Sequence, residues 1–350
     1  MKKFITNIAL LVFPLLIVLV ATNYFVDAAR LFDNEYEKTM AKIISSGQNA
    51  TNIQNYNERL FQKELISDSG WQPNLVIIGS SRTMLITSEL VGDSTMSNNS
   101  VSGASLRDLI AVYQIYKDSS KLPKKIIVGI DPWLFNESRK DERWRSIEEY
   151  YHNFITKRDY QGIEDSNYDE LFSLSYFQNS LKARPKTLLG QNQVQPSKKK
   201  YNYAATKLTD GSLAYGEKFR SASQKEIDNS EDNFLAQEIY GLKDFKFISE
   251  RRWKIFNQLI LDMEKNNIEI EFFLAPYSPK TFRKIRKDYP LVLEVEEKIR
   301  QFSEVNRIKI YGSYDPKNYD LDKTFFYDGM HAKESAIETI IEEDNDKRKD

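Results

Sequence analysis

The chain begins with an apolar segment that follows two lysines. The run 8–21 contains no charged residue, softer flanks extend it towards residue 26, and Lys2 and Lys3 precede it. A basic start followed by such a run is typical of a secretory signal or a signal anchor. With its flanks the segment approaches the roughly 20 residues that span a bilayer. Because lysines stay on the cytoplasmic side, we predict a cytoplasmic stub at 1–4, a transmembrane anchor at 5–26 and an extracytoplasmic remainder.

Cleavage of this segment is the alternative to a retained anchor. Cleavage after Ala21 or Ala28 is conceivable, but neither position has small residues at both sites that a signal peptidase recognises. We therefore expect the anchor to be retained. A buried core helix does not suit an extreme N-terminus next to paired lysines.

Apolar runs after residue 73 predict buried strands. The segment 74–79 contains a continuous apolar run that ends at glycine, and the segment 124–131 contains a second run and is followed by a proline. Buried strands of parallel sheets have this pattern. A shorter strand is predicted near 94–102, and Ser105 followed three residues later by Asp108 is a cap-like helix start.

Two longer segments are polar. Residues 27–72 carry scattered apolar positions and predict one or two helices of a juxtamembrane segment. Residues 136–249 are rich in Tyr, Asn, Ser and Lys and show no sustained strand pattern, so we interpret them as a large insertion or cap. The pattern then predicts a helix over 250–265, a strand over 268–274, a helix to about 302, a strand over 308–311 and a final helix over 332–343. This alternation predicts an α/β domain over 73–350, with a parallel sheet and helices on both faces.

Composition narrows the classes of function. The 350 residues include 50 basic and 51 acidic side chains, no cysteine and two histidines. The balanced charge argues against a general polyanion binder and, with the N-terminal span, against nucleic acid. Without cysteine there are no thiol nucleophiles, disulfides or Cys-based zinc sites. Two histidines cannot form a His₃ metal site, and we predict no metal and no cofactor.

The ends of the predicted strands are the places to look for chemistry, because ligands of open α/β sheets bind beyond the carboxyl ends of the strands. The first strand ends in Gly-Ser-Ser-Arg, and Asp328 and His331 stand just before the last helix. A serine is a weak nucleophile until a base takes its proton. An Asp three residues before a His can bond the ring's Nδ1–H and leave Nε2 free to face a serine.

These two motifs resemble those of the SGNH, or GDSL-type, hydrolase superfamily. Its members carry a nucleophilic serine after the first strand and a D-x-x-H pair before the C-terminal helix; here 79–81 stand in the place of Gly-Asp-Ser. The resemblance implies a three-layer, flavodoxin-like fold and a catalytic triad of Ser81, Asp328 and His331. The chain looks most like the membrane-anchored, extracytoplasmic branch, which includes proteins of alginate and cell-wall O-acetylation and of teichoic acid D-alanylation.

The resemblance also implies an oxyanion hole. In the superfamily its donors are the nucleophile's N–H, a Gly after the second strand and an Asn after the third. Gly103 is the candidate for the second donor, but Asp131 stands where the Asn would be. Because an ionised Asp cannot donate and would repel an oxyanion, either the third donor comes from elsewhere or Asp131 is structural or protonated. Loss of one donor costs about 10²–10³ in rate, which is more compatible with a slow or dedicated transferase than with a fast hydrolase.

Other side chains near the strand ends are candidates for substrate binding. Arg82, Trp133 and Tyr277 follow predicted strands, where they could line the pocket, and packing under the cap is the alternative for Trp133. His152 lies in the polar insertion and is interpreted as a surface or packing residue. The basic stretch 139–145 is interpreted as a solvated helix face, and contact with an anionic glycan is the alternative.

We therefore expect acyl transfer outside the cytoplasm, with O-acetylation of a cell-envelope or exported polysaccharide through an acyl-enzyme on Ser81. Acetyl-CoA is not expected outside a bacterial cell, so the resemblance implies a membrane-bound O-acyltransferase as acyl supplier, a polysaccharide as acceptor and a location on the membrane. Two alternatives stay open. One is an SGNH esterase with the same triad, and the other is a non-catalytic envelope assembly protein that uses the cap for binding.

Overall fold

Helices and strands alternate along the chain in a mixed α/β arrangement. The computed structural model describes residues 2–26, 35–53, 56–68, 70–157, 171–174, 177–178, 181 and 193–346. Within these ranges the α-helices are α1 Lys2–Val26, α2 Glu35–Ser45, α3 Glu58–Ser67, α4 Ser88–Val91, α5 Leu106–Asp118, α6 Glu148–Thr156, α7 Glu217–Arg220, α8 Gln224–Leu235, α9 Glu250–Lys265, α10 Pro279–Asp288, α11 Leu291–Asn306 and α12 Glu334–Asp346. The strands are β1 Asn49–Thr51, β2 Leu75–Ile78, β3 Met96–Asn98, β4 Lys125–Gly129, β5 Gln195–Ser197, β6 Thr206–Lys207, β7 Leu213–Ala214, β8 Glu269–Leu274 and β9 Lys309–Gly312. Short 3₁₀ helices cover Pro132–Phe135, Arg143–Ile147, Pro316–Tyr319 and Lys323–Phe325.

The central sheet is parallel and has the strand order β3-β2-β4-β8-β9. All the strands that the apolar runs predict are present in it. Val76 of β2 lies opposite Ser97 of β3 and Ile126 of β4. Counted within this sheet alone, the order is 2-1-3-4-5, a doubly wound order whose switch point lies between its first and third strands. The carboxyl ends of β2 and β4 therefore meet at the switch point.

Alternate residues of the central strands pack into two different apolar cores. Val76 and Ile78 lie with α5, α9 and α11 in one core, whereas Leu75 and Ile77 lie with α12 in the other. Because successive side chains of a strand point to opposite faces, helices cover both faces of the sheet, which is compatible with a three-layer α/β fold. Each fully buried Val or Ile contributes about 1.5–3 kcal/mol relative to an exposed one.

The segment 27–72 contains α2, β1 and α3 within its described part, and α3 packs on the domain. Arg59 Nε donates to Asp108 Oδ1 at 2.9 Å, and its Nη2 donates to the Ser102 carbonyl at 3.0 Å. Asp108 also accepts from the Ser105 N–H at 2.7 Å, while Ser105 Oγ accepts from the Asp108 N–H. The predicted helix start at Ser105 is thus confirmed, and one buried carboxylate joins α3 to α5.

The insertion 136–249 contains strands that the sequence pattern did not predict. In its described part, β5, β6 and β7 join β1 in an antiparallel sheet of order β5-β1-β6-β7. These strands are only two or three residues long. An alternating pattern needs about four to eight residues to be recognised, so strands of this length leave no signal in the sequence.

Helix α1 covers the predicted anchor at 5–26. Large apolar side chains of its described part, such as Leu10, Phe13 and Phe25, are exposed. Across the described residues, no helix has the length and apolarity needed to cross a membrane. The anchor stays a prediction, and the alternative cleavage point at Ala28 lies outside the described residues.

Lys207 in β6 is a buried ammonium that destabilises the fold at neutral pH. It is 1% exposed, and its Nζ donates to the Gly211 carbonyl at 3.0 Å. Burial lowers the pKa of Lys207 from 10.5 to about 8, against the attraction of Glu58 and Asp210. The unfolded chain therefore binds this proton more tightly than the folded one, and stability rises as the pH increases from about 8 towards 10.5.

Replacing Lys207 with methionine is expected to raise the free energy of unfolding at pH 7 by about 2–3 kcal/mol, because the apolar chain keeps the packing and carries no charge into the core. The gain should shrink towards zero near pH 10. Urea denaturation at both pH values measures it, with Lys199→Met at an exposed position as the control. Equal or lower stability of Lys207→Met at pH 7 would contradict this expectation.

Candidate active site

The candidate nucleophile Ser81 lies in a tight turn after β2. The N–H and the hydroxyl of Thr83 both donate to the Ser80 carbonyl, at 3.1 and 2.9 Å. A Cβ on Gly79 would lie 2.4 Å from Thr83 Oγ1 and 3.2 Å from the Cα of Gly129, so glycine is required where the turn folds over β4. Ser80 is fully buried and Ser81 is partly exposed, which leaves Ser81 as the hydroxyl that a substrate can reach.

Asp328 and His331 lie in one loop just before α12. Asp328 Oδ1 accepts from the N–H groups of Met330 and His331 at 2.8 and 2.9 Å, and its Oδ2 lies 2.8 Å from His331 Nδ1. The Tyr327 N–H donates to the His331 carbonyl at 2.9 Å and closes the loop. One carboxylate thus shapes the loop and orients the imidazole ring, as the three-residue spacing predicts.

The His331 ring joins this loop to the nucleophile turn. Its Nε2 lies 2.9 Å from Ser81 Oγ. Burial alone raises the pKa of Asp328, but His331 and the two N–H donors outweigh it, so the pKa of Asp328 is lowered. An ionised Asp328 keeps the proton on Nδ1 and leaves Nε2 as the acceptor for the serine proton. The structure therefore brings together the three residues that the motifs single out.

The loop after β3 lies beside the nucleophile turn and carries Gly103. Val101 in this loop donates its N–H to the Gly79 carbonyl at 3.0 Å. Gly103 has a φ of +55°, in the left-handed region that favours glycine. Within the described residues, neither the N–H of Ser81 nor that of Gly103 has a hydrogen-bond acceptor. Two unpaired donors of this kind fit an oxyanion hole.

The insertion holds Gly103 in place. Arg139 Nη2 donates to the Gly103 carbonyl at 2.6 Å and to Asp141 Oδ2 at 2.7 Å. A Cβ on Gly103 would lie 2.0 Å from Tyr240 Oη and 2.4 Å from Arg143 Nη2. The Arg139 side chain is 7% exposed, so the prediction of a solvated face over 139–145 is wrong at this residue. Its guanidinium is buried because it binds a loop that is distant in sequence.

Asp131 does not fit the predicted oxyanion donor. It is buried just after β4, and its Oδ1 accepts from Arg82 Nη1 at 2.9 Å. Burial raises the pKa of Asp131, even though the charge of Arg82 and a hydrogen bond from Ser80 act in the opposite direction. A carboxylate that accepts from a guanidinium has no hydrogen to give to an oxyanion. Asp131 is therefore a structural partner of Arg82, which is one of the possibilities that the sequence left open.

Arg82 binds protein groups, and its predicted role in substrate binding is corrected. Its guanidinium is almost completely buried. Besides Asp131 it contacts the Met330 carbonyl at 3.2 Å and the Ala275 carbonyl, and its Cζ lies 3.9 Å from the centroid of the Tyr277 ring. Arg82 thus ties the nucleophile turn to the ends of β4 and β8 and to the loop that carries His331.

Trp133 and Tyr277 also lie beneath the site, where no substrate reaches them. Both side chains are 0% exposed. Trp133 Nε1 donates to the Ala104 carbonyl at 2.9 Å, next to Gly103, and Tyr277 packs on Arg82. Their predicted role in substrate binding is therefore wrong, and the packing alternative holds for Trp133.

Part of the insertion approaches His331, which the sequence pattern did not predict. Leu213 of β7 donates its N–H to the Met84 carbonyl at 2.8 Å, which fixes β7 beside the nucleophile turn. The next residues bring Tyr215 and Phe219 towards His331 and Tyr327. The closely spaced aromatic residues in this otherwise polar segment are the sequence feature that could have indicated its approach to the site.

Helix α8 of the insertion supports the loop of His331 from the other side. Glu231 is buried and accepts from the Ser278 hydroxyl and from the N–H and hydroxyl of Thr281, the last two at 3.2 and 2.9 Å. Ser278 in turn donates its N–H to the Gly329 carbonyl at 3.1 Å. The insertion therefore contacts both loops of the candidate site.

The other histidine has a packing role, as the sequence predicts. The ring centroid of His152 lies 5.4 Å from that of Tyr151 and 6.0 Å from that of Trp144. In the described ranges, no group of three or more His, Asp or Glu side chains is arranged to hold a metal ion.

Comparisons with known proteins give no family for the chain. No protein-family model matches it, and no curated protein matches it. Its function is therefore inferred from the geometry of the site and the motifs that form it.

Proposed function

We propose that this protein transfers acyl groups outside the cytoplasm through a covalent intermediate on Ser81, in the manner of a membrane-anchored SGNH-type enzyme. One arrangement of three side chains carries the proposal. Ser81 Oγ lies 2.9 Å from Nε2 of His331, and Asp328 Oδ2 lies 2.8 Å from Nδ1 of the same ring. A nucleophile, a base and an orienting carboxylate at such separations are the groups that serine acyl transfer requires.

In the first half of the reaction, His331 acts as a base. Its Nε2 takes the Ser81 proton while Oγ attacks the carbonyl carbon of an acyl donor, and Asp328 stabilises the imidazolium. The N–H groups of Ser81 and Gly103 donate to the oxyanion of the tetrahedral intermediate. Collapse of this intermediate breaks the bond to the leaving group, which takes the proton from His331, and the acyl ester remains on Ser81.

In the second half, the same base activates the acceptor. A sugar hydroxyl gives its proton to His331 Nε2 and attacks the acyl carbon. The bond to Ser81 Oγ breaks, and the serine recovers its proton from the ring. With an acetyl group, the product is an O-acetylated polysaccharide and the free enzyme is restored.

The strand order of the central sheet is consistent with this assignment. The strand order 2-1-3-4-5 is that of a flavodoxin-like sheet, and the Ser81 turn lies at its switch point. In this proposal, the apolar N-terminal segment at 5–26 is the anchor that holds the domain on the outer face of the bacterial membrane. Acyl-CoA is cytoplasmic, so a membrane-bound O-acyltransferase would supply the acyl group.

Partial exposure of the site favours one competing function. The side chains of His331 and Asp328 are 19% and 21% exposed, so water can approach the acyl-enzyme. If water takes the place of the sugar hydroxyl, the same triad acts as an esterase.

The fate of an acetyl group distinguishes these two functions. We expect the full-length protein in detergent micelles to move acetyl from 4-nitrophenyl acetate to an oligosaccharide faster than to water. Mass spectrometry of chitopentaose, cellopentaose and maltopentaose measures the first process, and acetate release measures the second. Ser81→Ala should abolish both, and Ser45→Ala on α2 is the control. Acetate without acetylated sugar would establish the esterase, and neither product would overturn the proposal.

A further inference from the structure

A row of aromatic rings leads away from His331. The ring centroid of Tyr215 lies 6.4 Å from that of His331, 5.1 Å from that of Tyr327 and 4.5 Å from that of Phe219. Phe219 and Tyr327 are 5.2 Å apart. The rings therefore form a continuous cluster that begins at the base of the triad, and Tyr327 is its buried member.

The outer part of this surface is open to solvent. Tyr203 is 83% exposed, Tyr201 44% and Phe219 37%. The Glu217 N–H donates to the Tyr203 carbonyl at 2.9 Å, and the Arg220 Cζ lies 4.5 Å from the Tyr201 ring centroid, so both tyrosines lie beside α7. We call Tyr201, Tyr203, Tyr215 and Phe219 the aromatic platform; Tyr327 is buried against Tyr215 and Phe219.

Charged groups of both signs border the aromatic platform. Lys200 forms an ion pair with Glu89 at 3.0 Å, and the Tyr327 hydroxyl donates to Glu334 at 2.9 Å. Lys200 and Arg220 also lie over the Tyr201 ring, and Lys333 lies over the Tyr327 ring. Neither sign of charge dominates, so a neutral sugar, which finds hydrogen-bonding groups at the edges of the rings, suits this border better than a charged polymer. A pyranose has the matching surface, with C–H groups on its faces and hydroxyls around its rim.

We propose that the aromatic platform is the acceptor subsite, which binds a run of neutral pyranose residues and places one hydroxyl beside His331 Nε2. The proposal rests on the proposed function, since it takes the acceptor to be a polysaccharide. Exposed apolar patches of this kind mark binding surfaces, and several convergent rings fix a flexible chain better than one ring does. The sugar nearest the triad packs on Tyr215, and Phe219 and Tyr203 hold the following sugars.

Direct binding tests the subsite without requiring catalysis. Titration calorimetry of the full-length protein in micelles with chitopentaose, cellopentaose and maltopentaose compares wild type with the double variant Tyr203→Ala, Phe219→Ala. The control is Phe247→Ala, which removes an aromatic ring that is 59% exposed elsewhere in the insertion. We expect wild type and the control to bind at least one sugar equally well, and the double variant to bind it at least tenfold more weakly.

Three results would overturn the proposal that the aromatic platform binds the acceptor. They are no binding of any of the three sugars by wild type, equal binding by wild type and the double variant, or an equal loss of affinity in Phe247→Ala. In the transfer assay, the double variant should raise the KM for the oligosaccharide by at least tenfold and change kcat little. Failure of the proposed function is recognised separately, because wild type would then bind sugar while Ser81 forms no acyl-enzyme.

Discussion

Replacing His331 with glutamine is expected to lower the rate of Ser81 acylation by about 10⁴-fold or more. Glutamine can still hydrogen-bond to Ser81 Oγ, but it cannot take the proton, and Nε2 of His331 is the group that lies 2.9 Å from this oxygen. Asp328 cannot compensate, because it acts only by orienting the imidazole ring that the substitution removes. The burst of nitrophenol from 4-nitrophenyl acetate under single-turnover conditions measures the acylation rate.

The matched control is the second histidine. His152→Gln changes a ring that packs beside Trp144 and Tyr151 and should leave the acylation rate within about twofold of wild type. A loss of less than tenfold in His331→Gln, or an equal loss in both variants, would show that His331 is not the base.

Replacing Arg82 with methionine is expected to weaken both the fold and the activity. The substitution leaves Asp131 as a buried carboxylate without its partner, and such changes cost about 3–5 kcal/mol. It also removes the contacts with the carbonyls of Met330 and Ala275, so the Ser81 turn loses its tie to the loop of His331. A displacement of about 1 Å between such groups can cost about 10²-fold in rate.

A double variant separates these two effects. Arg82→Met with Asp131→Asn removes the unpaired charge, so urea denaturation should show that most of the lost stability returns. The acylation rate should stay about 10²-fold below wild type, because the amide of residue 131 does not restore the tie to Met330. If the double variant recovers the wild-type rate, Arg82 is a stabilising residue only and does not position the triad.

Local patterns predicted the central strands and the Asp328–His331 pair. The apolar runs that form β2, β4 and β8 are buried on both faces of the sheet. Their apolar composition alone therefore identifies them as buried strands. The orientation of His331 by Asp328 depends on a spacing within one turn of the chain. Both features are decided by neighbours in sequence, which a single sequence shows.

Distant contacts decided the features that the sequence analysis got wrong. Arg82 meets Asp131 and Met330, which are 49 and 248 residues further along the chain. A charged or aromatic residue after a strand can point into the cleft or into the core beneath it. The sequence around Arg82 and Trp133 does not distinguish these two orientations. The approach of Tyr215 to His331 likewise depends on two-residue strands that give no periodic signal.

In the proposed reaction, His331 activates Ser81 as a nucleophile. Labelling of the full-length protein with a fluorophosphonate, followed by peptide mass spectrometry, tests it most directly, because this reagent phosphonylates only an activated serine. We predict one phosphonyl group on the peptide that contains Ser81 in wild type, and none in Ser81→Ala or His331→Gln. An unlabelled Ser81 in folded wild type, or the same label in His331→Gln, would contradict the account.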